Sequence, residues 1–377
     1  MRVYLDNAAT TKVDSNVAQI IAHNLTDNYA NPSSLHLFAQ DAQRELEFAR
    51  EVCADSINAK ASEIYFTASA TISDNIAIIG VARANKDKGK HIITTSIEHH
   101  AVLNSCIALE NEGFEVTYLP VDSEGLISIR ELKDAIRKDT ILISIMYVNN
   151  EIGTVQPIKE IGEIARKKGI IFHSDAVQAY LKIPIDVVEM NIDLLSVSAH
   201  KVHGPKGCGF LYKSSKVKAK PVIHGGEQER GLSSGTINSP LIAGFRVAVE
   251  NGLCGMLERE DEIKKLRDYL IDRVVGEIDG VSVNGSLRYR VSSNANFMFD
   301  GVKTDALLYA MDLKNIAISA GSACTVGTVE VSHVIKALGK NETSASARFT
   351  LSKFTTKEEI DYTVDTLKEV VKRLRQV

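Results

Sequence analysis

The run Leu194-Leu195-Ser196-Val197-Ser198-Ala199-His200-Lys201 places a lysine, with a histidine beside it, at the end of a strand-like apolar stretch. Taken alone, Lys201 reads as a surface lysine that happens to follow a strand. Desolvated at the end of a buried strand, its amine would shed its proton readily and form a Schiff base with a carbonyl. Asp175 ends a second such run, GIIFHSD, and Gln178 follows three residues on. A carboxylate there can keep a pyridinium nitrogen protonated. After EIYFTA come Ser69, Ala70 and Thr71 at a helix start, whose free N–H groups favour an anion such as a phosphate. Glu98, His99 and His100 follow HIITTS. Amine, carboxylate and anion cradle are each weak signals, but together they converge on one ligand, pyridoxal 5'-phosphate. Cys324 stands apart in SAGSACTVG, 319–327, among glycine, serine and alanine with little to bury it. Free cysteine is ordinarily a buried small residue, whereas an accessible thiol beside positive charge is a nucleophile.

These residues need a frame that brings strand ends together. EIYFTA, HIITTSIE, EVTYLPV, TILISIMYV, GIIFHSDA, DLLSVSA and CGFLYK read as strands, with helical patterns such as SDNIAIIGVARANK, AVLNSCIALENEG, SIRELKDAIRK and PIKEIGEIARKK between several of them. Such alternation predicts a largely parallel sheet covered by helices on both faces, and ligands of such sheets bind at the carboxyl ends of the strands. From about 255 the alternation stops. A charged helix over roughly 256–276, short strands at VSVNG, NANFMFD and SARFTLS, and a last helix capped by Thr356 with Glu359 predict a smaller α+β unit. Ser128 with Glu131 predicts a second capping box. The expected division is a large domain over 14–255, with 1–13 and 256–377 forming a small domain that carries the Cys324 loop.

Composition narrows the classes. The 377 residues are 44% hydrophobic and 24% charged, with a net charge of −4, so nothing marks a nucleic-acid or anionic-lipid binder. Five widely spaced cysteines without a CxxC pair argue against a disulfide framework and a structural zinc site. Cys53, Cys106, Cys208 and Cys254 sit in apolar or helical contexts and are expected to be buried. No metal site is expected. Neighbouring side chains such as His99 and His100 point to opposite faces of an extended backbone, and His203, His224 and His333 lack partners at ligand spacing. MRVYLDNAATT lacks the apolar stretch of a leader, and with no membrane-length apolar run the expectation is a cytoplasmic protein.

Six motifs in order, LDNAATT (5–11), VNNEIGTVQP (148–157), HSDAVQ (173–178), SVSAHKVHGPKGCGFLY (196–212), GGEQERGLSSGT (225–236) and SAGSACT (319–325), resemble those of the NifS/IscS-type cysteine desulfurases within the class V aminotransferase family. The resemblance runs from residue 3 to the last helix and implies the aspartate aminotransferase-like fold type I of pyridoxal-phosphate enzymes. It implies removal of sulfur from L-cysteine, giving L-alanine and a persulfide on Cys324. It further implies that Lys201 carries the cofactor and moves the substrate's Cα proton, with His99 stacked on the ring and active in proton transfer. Asp175 would face the ring nitrogen and Gln178 the phenolic oxygen. The phosphate would rest on Ala70, Thr71, Ser198 and His200, with Thr236 reaching it from the second subunit of a homodimer. Asn150, beside the cofactor, and Arg348 would receive the substrate carboxylate. The partner implied is a sulfur acceptor, either an iron–sulfur scaffold or a tRNA or cofactor thiolation protein.

The chain also departs from the family pattern. Where relatives read close to TSGATESNN it reads TASATISDN (67–75), so Ser69 replaces glycine, Ile72 glutamate and Asp74 asparagine. Ser69 would be strained if that position needs a positive φ. Ile72 is expected to alter the mouth of the site. Asp74 suits a helix's first turn but would repel a phosphate if it faced inward. Ser233 stands where arginine is usual, Glu227 replaces the last glycine of a run of three, and Ser352 stands where glycine is common. The sequence is expected to close after its final helix, without the tail by which scaffold-serving members dock. The rival readings are a selenocysteine lyase or aminotransferase of the same fold, and a catalytically weakened cofactor-binding accessory protein.

Overall fold

The structure, a computed structural model, describes residues 1–321, 332–340 and 344–376. Seven strands form the main sheet: β2 (Ile64–Thr67), β3 (His91–Thr95), β4 (Glu115–Leu119), β5 (Thr140–Ser144), β6 (Ile171–Asp175), β7 (Leu194–Ser198) and β8 (Gly209–Lys213), alongside the short β1 (Val3–Tyr4) outside it. Their order is β2-β8-β7-β6-β5-β3-β4. Pairing is parallel from β4 through β7, and β8 runs antiparallel to both of its neighbours. All seven runs picked from the sequence are strands of this sheet.

Side-chain alternation explains why the strands read as continuous apolar runs. Leu142, Leu194 and Leu211 face one helix-covered side, while Ile143, Leu195 and Phe210 face the other. Both faces are buried, so neither needs polar residues. Between strands, the helical stretch over 70–85 contains a π-helical segment at Ile76–Gly80. The helix Ile129–Ala135 is shorter than the pattern predicts. Its cap is half a box: Ser128 accepts from the Glu131 N–H at 3.3 Å, with no return bond from the glutamate side chain among the described residues. Three helices not picked out above, Ser15–Thr26, Leu37–Asp55 and Ser239–Leu253, pack together against the sheet's second face.

The remaining strands are β9 (Val281–Val283), β10 (Asn294–Phe299), β11 (Ile316–Ala317) and β12 (Ala345–Thr350). β12-β10-β9 form an antiparallel sheet. Its core is separate from that of the main sheet, and is built on Phe297, Phe299, Phe349 and the helices Met256–Glu277 and Lys357–Leu374. The Thr356–Glu359 capping box is formed in both directions. β1 pairs in parallel with β11, and the Thr350 N–H donates to Leu5. The first residues therefore belong to this second core before the chain crosses to the main sheet.

Candidate active site

The carboxyl ends of β2, β3, β5, β6 and β7 open onto one cavity of about 330 Å³. It takes in every residue singled out above for chemistry except Thr236 and Cys324. Cys324 lies outside the described residues. Gly321, three positions before it, lines the cavity.

Lys201 ends a short 3₁₀ turn, Ala199–Lys201, directly after β7. Its Nζ donates to the carbonyls of Ala8 at 2.6 Å and Ala9 at 2.7 Å. Thr11 binds the His200 carbonyl through both its N–H and its hydroxyl. The LDNAATT segment thus holds the lysine from behind. Ala8 and Ala9 escaped the sequence reading because backbone carbonyls carry no residue-type signal. Burial pulls the Lys201 amine down to about 8, helped by the charges of Arg348 and Lys182 and opposed by Asp6 and Asp175. A basic amine in water has become a nucleophile close to neutrality.

Across the cavity, Asp175 accepts the Val177 N–H at 2.9 Å, and burial raises its carboxyl above the ordinary range. Gln178 donates from Nε2 to Ala8 and accepts from Lys182 at 3.2 Å through Oε1. Lys182 therefore fixes which face of the amide is the donor. His99 caps the helix His100–Glu110, its Nδ1 accepting from the Ala101 N–H at 3.1 Å. Its proton then sits on Nε2 in the neutral ring, and burial lowers its affinity for a second one. His99 and His100 diverge because one is a cap and the other begins a helix, not because the backbone is extended. His100 instead faces His333, with ring centroids 4.9 Å apart.

Ser69 is the cap of the helix at Ala70, with φ −169 and ψ 160, and its side chain accepts from Ile72. This is ordinary extended backbone, so the serine replaces glycine without the anticipated strain. Ser198 is buried beside it, and burial holds His200 down at about 4, with Lys201's charge second. Both therefore offer neutral hydrogen-bonding groups. Asp74 does not sit in the helix's first turn. It is 1% exposed, lines the cavity, and its Oδ1 has no hydrogen-bond partner among the described residues.

Arg348, on β12 and 2% exposed, donates to Asp6 at 2.8 Å and to the Asn150 carbonyl at 3.0 Å. Its buried Nε has no partner among the described residues, so the guanidinium is anchored with donor capacity to spare. Glu151 next to it is nearly fully buried. It accepts from Ser332 and packs on Gly321, whose φ of +120 leaves no room for a Cβ.

Thr236 lies in a neighbouring cavity of about 230 Å³, as do Ile72 and Ser233. Ile72 thus borders that cavity and not the mouth of the Lys201 site. The two departures from the family pattern, a lost glutamate and a lost arginine, meet in one place, so opposite charges have left together. Ser352 closes a turn with Thr355 through ordinary backbone. Glu227 accepts the Gly231 N–H through its backbone carbonyl. Cys53, Cys106 and Cys208 are buried, but Cys254 is exposed just past the helix Ser239–Leu253, a correction to the expectation that all four are buried. Among the described residues no three His, Cys, Asp or Glu side chains could hold a metal ion, and no helix is long and apolar enough to cross a membrane.

The site fits pyridoxal phosphate: one desolvated amine, a buried carboxylate opposite, a capped helix start, and an orphan carboxylate oxygen where a cation is wanted. With the sheet behind it, this is the fold type I architecture of pyridoxal-phosphate-dependent transferases. The chain belongs to the class V aminotransferase family, whose model, "Aminotransferase class-V", matches residues 3–363. It is similar to the cysteine desulfurase IscS of Methanosarcina thermophila, 48% identical over 377 residues, covering 100% of this chain and 93% of that protein. Among solved structures it resembles a NifS-like protein, at a TM-score of 0.93 and 36% identity, covering 99% of this chain and 100% of that one. It also resembles SspA in complex with cysteine, at a TM-score of 0.82 and 40% identity, covering 94% and 100%.

Proposed function

We propose that this chain is a pyridoxal-phosphate-dependent cysteine desulfurase that loads sulfur onto Cys324. L-Cysteine and the Cys324 thiol become L-alanine and a Cys324 persulfide. The substrate's C–S bond breaks, an S–S bond forms, and protons balance without an external oxidant. The reading rests chiefly on one observation: a desolvated Lys201 amine shares a cavity with Asp175, His99 and Arg348, and Gly321, close to Cys324 in sequence, lines its wall. The cysteine desulfurases of high identity support it, and SspA's complex with cysteine supports the substrate class.

When bound, the cofactor supplies an electron sink for the substrate's Cα. Lys201 then moves the Cα proton, and its depressed proton affinity suits it to act as a base near neutral pH. Asp175 faces the ring nitrogen. Gln178, oriented by Lys182, donates to the phenolic oxygen. His99 packs on the ring and presents Nε2 for proton transfer. Ala70, Thr71, Ser198 and His200 hold the phosphate. Arg348, braced by Asp6, receives the substrate carboxylate with Asn150. Thr236 belongs to the phosphate site of a partner subunit in a homodimer, in keeping with its separation from its own chain's cavity. The working unit is a large domain over 14–255 and a small one of 1–13 with 256–377. The sulfur passes to an acceptor protein for iron–sulfur assembly or thiolation, in the cytoplasm.

The test is alanine formed from L-cysteine with a reductant present, comparing wild type with Cys324→Ala. Alanine from the wild type alone is the expected result. Equal alanine from both would remove Cys324 from the reaction.

A further inference from the structure

Asp74 is the one buried carboxylate in the cavity that the proposed function leaves without a task. Its surroundings contain no counter-charge. From β6, His173 approaches its Oδ1 at 3.6 Å. Yet both ring nitrogens of His173 are taken by hydroxyls, Ser144 at 2.9 Å and Ser196 at 3.0 Å. Burial pulls His173 down to about 3, so it is neutral. Also on β6, Asp175 adds negative charge, and Glu98, after β3, adds more. From β7, Ser196 offers only a hydroxyl already shared with His173. Lys201 and His99 act on Asp175 rather than on Asp74. Burial, then Asp175, push the Asp74 carboxyl well above its ordinary range. A buried carboxylate with no cation costs several kcal/mol if ionised, on the order of a few proton-affinity units, so it keeps its proton until a cation arrives.

We propose that Asp74 holds a proton in the free site and releases it to solvent when a cationic ring nitrogen docks against Asp175, so that two carboxylates share the cofactor's positive charge. This rests on the cofactor assignment made above. It also gives the asparagine-to-aspartate departure a consequence: an amide at 74 has no proton to release. Asp74 is a positioning residue, since it acts through charge on a group that Asp175 meets.

The experiment is calorimetric titration of the cofactor-free protein with pyridoxal phosphate, in buffers of different ionisation enthalpy near neutral pH, to count protons released. Wild type should release about one proton more per site than Asp74→Asn, since the Lys201 contribution is common to both. With the 1-deaza analogue, whose ring nitrogen is replaced by carbon, wild type should lose that extra proton. Equal release by wild type and variant would overturn the proposal, as would equal release with cofactor and analogue, a comparison that needs no variant. Infrared spectra of the free wild type should show a protonated-carboxyl band that Asp74→Asn lacks, and its absence would also overturn it. Failure of the wild type to bind pyridoxal phosphate is a separate outcome, visible as no absorbance change, and it would overturn the cofactor assignment itself.

Discussion

At Lys201 the environment sets the chemistry. Ala8 and Ala9 accept from its amine, while Arg348 and Lys182 make a further positive charge unwelcome. The folded protein therefore binds this proton less tightly than the unfolded chain. Between about pH 8 and the ordinary lysine range the unfolded chain holds more protons, so this group's share of stability rises with pH there. Capture of pyridoxal phosphate by the cofactor-free protein should climb through about pH 8 and then level off. Stopped-flow absorbance across pH 6–11 reads it out, and a rate still climbing at the top of that range would mean the amine is not desolvated. A second residue-scale prediction concerns the pair that left together. Ile72→Glu alone places an unpaired carboxylate in the cavity beside Thr236 and should destabilise the protein. Adding Ser233→Arg should restore much of the loss, a coupling of roughly 1–2 kcal/mol in a denaturant double-mutant cycle. Strictly additive effects would show that the two side chains do not meet.

At the scale of elements, one carboxylate ties three together. Glu229 pairs with Arg50 of the helix Leu37–Asp55 through two bonds of 2.8 and 2.9 Å, and accepts the Phe66 N–H of β2 at 2.8 Å. Its own turn is strained, with Glu229 and Arg230 both at positive φ, and the ion pair holds that turn in place. Glu229→Gln keeps the shape but leaves Arg50 buried without its counter-charge, and should cost about 3–5 kcal/mol. Urea unfolding measures this, and a change below about 1 kcal/mol would mean that backbone bonds alone hold the turn. Element type was largely legible from sequence because both sheet faces are buried, which writes β6 and β7 as unbroken apolar runs. The helix Ser15–Thr26 was not, because only Val17 and Asn24 are buried on it and no stripe forms. Ile136, which follows the helix Ile129–Ala135, is apolar and in phase, yet it turns to extended backbone at ψ 124. Tertiary contacts, not pattern, end that helix.

For the molecule as a whole, the site was readable where function depends on side-chain type at a strand end, as at Asp175, His99 and Lys201. It was not readable where function depends on distance in sequence. The carbonyls of Ala8 and Ala9, the bracing of Arg348 by Asp6, and the meeting of Ile72 with Ser233 all join segments that no local pattern connects. Asp74 was noticed as a departure, but its burial follows from the packing of its helix against β7, which the sequence does not display.

The crossing of the first residues between the two cores also bears on how the protein is made. Val3–Tyr4 finds its strand partner only at Ile316–Ala317, and Leu5 its partner only at Thr350. A ribosome delivers the segment that grips Lys201 first and the strands that anchor it nearly last. The main sheet can collapse during synthesis, but the grip on the lysine waits for almost the whole chain. Nascent protein thus passes through a long interval with a formed sheet and an unfinished site, and acquisition of the cofactor belongs after release from the ribosome.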